Sequence, residues 1–90
     1  MSDHRPHIRA LLYTVQFRGD PSAPDSVEHA LDQVVRRGAL GADAARYLQS
    51  VRAALASDES VSTLIPQDHP EETVRAFLRE VERRLSADQT

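Results

Sequence analysis

Ile8-Arg-Ala-Leu-Leu-Tyr-Thr-Val-Gln-Phe17 is the stretch on which the fold class turns. At helical period, Ile8, Leu11, Leu12 and Val15 share one face. At period two, Leu11, Tyr13, Val15 and Phe17 alternate with Ala10, Leu12, Thr14 and Gln16. A lone strand leaves its backbone donors and acceptors unpaired. The sole candidate partner, Val61 to Ile65, is short and stops at Pro66. The helical reading is therefore preferred, ending at Gly19, and the chain is expected to be all-α.

Three further periodic stretches support that class. Val74, Phe77, Leu78, Val81 and Leu85 lie on one face of a helix that opens with Pro70, Glu71 and Glu72 and closes with Arg83 and Arg84, matching the polarity of the helix dipole. Ala44, Leu48, Val51 and Leu55 form a second stripe among alanines of high helix propensity. Asp25-Ser-Val-Glu28 reads as a capping-box variant ahead of Val27, Leu31, Val34 and Val35, and Gly38 suits a left-handed terminator. The spacing thus predicts a compact four-helix domain, with helices near residues 6–18, 25–37, 42–56 and 70–86. A short helical turn around residues 59–65, between helices 3 and 4, is expected to lid the core. Residues 6–86 form the domain, between flexible ends at 1–5 and 87–90. The link from Gly38 to Gly41 is so short that helices 2 and 3 must pack closely.

Composition bounds what this domain can be. Leu, Ile, Val and Phe make up 21 of 90 residues, or 23%, just above the roughly 20% below which disorder becomes the default. Size scaling puts the folded surface at about 5,200 Å². All 21 fall in the four stripes or their connectors, from Ile8 and Phe17 through Leu40 to Leu85, so little apolar surface is spare. Association with a partner, or with a second copy, would help such a core.

The chemistry the sequence excludes is broad. Without Cys there is no thiolate nucleophile, disulfide or Cys-based zinc site. Without Lys there is no Schiff-base chemistry and no P-loop lysine. His4 and His7 stand three apart around Pro6 in the first residues, a poor platform for a metal, and no cofactor is expected. His29 sits beside Asp25 and Asp32 on a polar face. The cluster Asp68-His-Pro-Glu-Glu72 is explained by helix capping. Asp25-Ser26-Val27 resembles the Asp-Ser-Leu context of a carrier protein's modifiable serine over three residues only, and capping accounts for it as well. No Gly-x-Ser-x-Gly turn or glycine-rich phosphate loop is present.

Net charge is −3, from 11 Arg against 14 acids. A helix-turn-helix regulator would present Asp43, Arg46, Tyr47, Gln49 and Ser50 to a groove, but the acids on both helices repel phosphate and disfavour nucleic acid. Ile8 to Phe17 is too short and too interrupted to be a signal peptide core or a membrane span. A cytoplasmic protein with no membrane role is expected, and the Arg- and Ala-rich, Lys-free composition suggests a GC-rich bacterial genome.

What remains is an expected non-catalytic interaction protein, an adaptor, accessory subunit or regulator that docks on another protein or on itself as a homodimer. Tyr13, Phe17 and Tyr47 lie off the apolar stripes and, with Arg46, Glu71 and Glu72, are the candidate partner-binding residues. The alternative is an acidic antitoxin or immunity-type inhibitor using the acids between residues 58 and 82.

Overall fold

The computed structural model describes residues 4–88. Four helical segments follow one another without any strand among the described residues: α1 (Arg5–Tyr13), α2 (Pro24–Ala30, continued by a π-helical stretch, Leu31–Val35), α3 (Ala44–Ala56) and α4 (Glu71–Asp88). A 3-10 turn, Ala39–Gly41, joins α2 to α3. Ile8 to Phe17 is thus not a strand, and the domain is all-α.

The bounds depart from the periodicity where local chemistry competes with it. α1 stops about a turn early, because the Thr14 hydroxyl donates to the Leu11 carbonyl at 2.7 Å and the next amides bond three residues back, Val15 to Leu12 and Arg18 to Val15. The expected Asp25 cap does not form. Ala23 is the N-cap, with Pro24 opening the helix, while Asp20 accepts from the Ser22 amide and hydroxyl and shapes the preceding turn. Ser26, the candidate carrier serine, is buried and donates to the Asp20 carbonyl at 2.8 Å. At the end of α2 the Arg36 amide reaches back to Leu31. This wider turn brings the adjacent Val34 and Val35, together with Leu31, into the core.

Gly38 is left-handed (φ 67°), as is Gly41 (φ 70°), and between them Leu40 takes φ 62° without being glycine. α3 begins two residues later than predicted, capped by Asp43, whose carboxylate accepts from the Arg46 amide at 2.9 Å. Residues 59–65 do not form the expected helical turn. They are irregular apart from one bonded turn, Leu64 to Val61, although Val61 and Ile65 are buried.

α3 packs on both α4 and α1. Arg52 meets Glu82 and Ser86, while Arg75 reaches the Leu55 and Ser57 carbonyls, so α3 and α4 run antiparallel. Their stripes share one core: Val74, Phe77, Leu78, Val81 and Leu85 are buried in the same cluster as Tyr47, Leu48, Val51 and Ala54. Of the 21 strong core formers, all but Phe17, Leu40, Leu55 and Leu64 are buried. The radius of gyration is 11.6 Å and the surface 5,094 Å², close to the scaling expectation for a folded domain of this length. No helix among the described residues is long and apolar enough to cross a membrane.

Candidate functional site

α1 buries His7, Ile8, Leu11 and Leu12, and Val15 in the turn after it is buried as well, while Arg9 and Tyr13 face solvent. Tyr13 closes α1, and Phe17 follows four residues later in the turns beyond it. Tyr13 is 55% exposed and Phe17 93% exposed. Burying a Phe side chain is worth about 1.5–3 kcal/mol, so a ring left almost wholly in water is a marked departure in a domain with so few apolar residues.

The segment beneath the two rings is held in place. Gln16 Nε2 donates to the Pro66 carbonyl at 3.1 Å, and His69 Nε2 donates to the Val15 carbonyl at 3.3 Å. Arg9 precedes Tyr13 by one turn and donates through Nε to the Leu64 carbonyl at 3.4 Å. Arg18 follows Phe17. Among the described residues Arg9, Arg18, Arg37, Arg46 and Arg79 form no ion pair, whereas Arg5, Arg36, Arg52, Arg75, Arg83 and Arg84 do.

The other candidate residues lie elsewhere. Tyr47, expected at the surface, is fully buried and belongs to the core. Its stripe on α3 is wider than the four-residue pattern suggested, and its hydroxyl finds a partner in the Ala39 carbonyl at 2.8 Å. Burial pushes its phenol above the ordinary value. Arg46, one residue before it, lies on the rim of α3.

Glu71, expected to face a partner, is turned onto its own chain. Its carboxylate accepts from the Ser60 hydroxyl at 2.7 Å, from the Val61 and Ser62 amides at 3.0 Å each, and from Arg75 Nε at 2.9 Å. Burial alone would raise this carboxyl, but the bonds from Ser60, Val61 and Ser62 outweigh it and hold the group at about 2. Glu72 is exposed.

Sequence reasoning missed a buried polar pair. His7 and Ser50 share a hydrogen bond of 2.7 Å between Nδ1 and Oγ, linking α1 to α3, and the His7 ring meets Tyr47 edge-on at 4.9 Å. The only available signal was the helical phase, since His7 adjoins Ile8 and lies one turn before Leu11. Ser50 is 4% exposed, so its hydroxyl offers no approach to a substrate. The same burial withdraws Tyr47 and Ser50 from the face that a helix-turn-helix reading would present. Among the described residues no group of three His, Asp or Glu side chains is placed to hold a metal.

Two hollows open on the surface of the described residues. One of about 430 Å³ is lined by His7, Leu40, Gly41, Ala42, Asp43 and Arg46. The other, about 90 Å³, lies among Leu31, Val35, Arg36, Ala44 and Leu85. The larger has a mixed-charge mouth in which Asp43 is already engaged in capping α3. Compared with family models, curated proteins and solved structures, the chain matches none.

Proposed function

We propose that this domain is a non-catalytic interaction module that docks on another protein through the surface at the end of α1 and the turns after it, where Tyr13 and Phe17 are exposed. One observation carries the reading: of the four Phe and Tyr residues in the chain, two are core and two, four residues apart in sequence, are left exposed. Amphipathic rings on a rigid, internally bonded element make good interface anchors, because little conformational entropy is lost on binding. The buried setting of the His7–Ser50 pair supports a structural role for it over a catalytic one.

An acidic inhibitor of the antitoxin or immunity type has less support. Glu59, Glu71, Glu80 and Glu82 within the acidic region are each engaged by an Arg of the same chain, which weakens the field such an inhibitor would direct at a basic partner.

The test is a paired measurement on Tyr13→Ser/Phe17→Ser. Capture of a partner from lysate of the source cells is expected to be lost, while the melting temperature shifts by no more than about 2 °C, as befits exposed positions. Capture that survives the double substitution would overturn the reading.

A further inference from the structure

Phe17 sits inside a turn closed by the Arg18 amide, which donates to the Val15 carbonyl at 3.1 Å. The same carbonyl accepts from His69 Nε2 at 3.3 Å, and within the turn the Gln16 side chain donates to the Pro66 carbonyl. Both holds come from the connector 57–70, which has no helix or strand of its own. Gln67 braces that connector from inside. Its Nε2 donates to the Ser62 carbonyl at 2.7 Å and to the His69 carbonyl at 3.0 Å, while its Oε1 accepts from the His69 amide at 2.8 Å. Ser62 in turn gives its amide to Glu71 of α4 at 3.0 Å.

A continuous series of contacts therefore runs from Glu71 through Ser62, Gln67 and His69 to the Val15 carbonyl at the base of the Phe17 turn. Resting on the reading of the Tyr13 and Phe17 surface as a docking surface, we propose that its shape is set from α4, with the connector as a strap and Gln67 as the positioning residue within it. The other bonds between α1 and the connector, Arg5 to Glu59 and Arg9 to the Leu64 carbonyl, lie upstream of the turn and do not reach it. Burial anchors the Val15 side chain, but the course of the backbone after it depends on the bonds to its carbonyl and to Gln16. A turn without such ties must be ordered when a partner binds, at an entropic cost. With the series intact the turn is ordered on folding, and the ring is presented in one place. Links in series hold only while each one does, so loss of either Gln67 or Glu71 releases the turn.

Amide hydrogen exchange, read by NMR on the full chain with no partner present, tests the series. Exchange of the Arg18 amide is expected to speed up by about threefold or more in Gln67→Ala and in Glu71→Ala, and the combined variant should do no more than either alone. Gln67→Met, of similar length but without donors, takes the place of Gln67→Ala should that chain fail to fold. Leu85→Val, near the far end of α4, lowers stability without touching the series. A surface turn exchanges by local opening, so the Arg18 rate in Leu85→Val should match the parent's.

An unchanged rate in either link variant, an equal rise in Leu85→Val, or effects that multiply in the combined chain overturns the inference. The docking reading is judged apart from it, by the dependence of capture on Tyr13 and Phe17. If the series holds while capture ignores both rings, the docking reading falls and the strap stands as a property of the fold. If capture needs the rings while the Arg18 rate ignores Gln67 and Glu71, the strap alone falls.

Discussion

Tyr47 is fixed along its whole length: its ring meets His7 edge-on and is closed off from solvent, and its hydroxyl is tied to the Ala39 carbonyl. Tyr47→Phe keeps the ring and loses one hydrogen bond, an expected cost of about 0.5–1.5 kcal/mol. Tyr47→Ala empties the centre of the α1–α3 contact and should cost about 3–5 kcal/mol, a large share of the stability of any domain this small. Urea denaturation of the two variants separates the terms, and equal losses would mean that the hydroxyl, not the ring, carries the residue's contribution. Leu40 presents the opposite case. It holds φ 62° with its side chain 61% exposed, so it bears left-handed strain with little burial to offset it. Leu40→Gly is expected to raise stability by about 0.5–1 kcal/mol, read as a higher urea midpoint at unchanged slope. A lower midpoint would mean that the leucine side chain itself holds the loop.

At the scale of elements, the irregular segment 57–70 is ordered by two side chains of α4. Glu71 takes the donors of Ser60, Val61 and Ser62, and Arg75 reaches the carbonyls of Leu55, Ser57 and Glu59. Because folding holds the Glu71 carboxyl at about 2, below its ordinary 4.5, its contribution is fully present above pH 4.5 and lost as pH falls toward 2. Glu80, held at about 2 by Arg83 and Arg84 against a smaller opposing effect of burial, loses its contribution over the same window. Glu71→Gln should cost about 1–2 kcal/mol at neutral pH, toward the lower side for charged hydrogen bonds because a third of the side chain is exposed, and should flatten the acid limb of stability. A variant whose stability falls with acid as steeply as the parent's would contradict this role. The clamp also marks what sequence could reveal. Periodicity exposed the four helices, since apolar spacing reports directly on burial, and it placed the whole stripe from Val74 to Leu85 correctly. It could not locate Glu71's partners, which lie 9 to 11 residues away in a segment with no period, nor the end of α1, where a Thr14 side-chain bond competes with helix propagation. Tyr47 was misplaced because a stripe drawn through four positions understated the width of α3's buried face.

Over the whole molecule, economy of apolar residues explains both the fold and the exception to it. Seventeen of the 21 strong core formers are enclosed within principal extents of 31 × 30 × 21 Å, and most arginines are matched to carboxylates across or along the helices. These exposed pairs each contribute little, so burial carries the stability. In that setting Tyr13 and Phe17, bracketed by Arg9 and Arg18, form a surface whose composition folding alone does not require. The exposure of these two rings followed from the helical reading of the first stretch. The lack of ion pairs at Arg9 and Arg18 did not, because pairing depends on side chains brought together from distant positions. The central claim, that this face is where a partner sits, is tested most directly by a photoreactive phenylalanine placed at position 17 and, in a parallel chain, at the exposed Gln33 of the π-helical stretch. Irradiation in the source cells should give a covalent adduct to another protein from position 17 and none from position 33. Adducts of equal yield from both positions, or from position 33 alone, would contradict it.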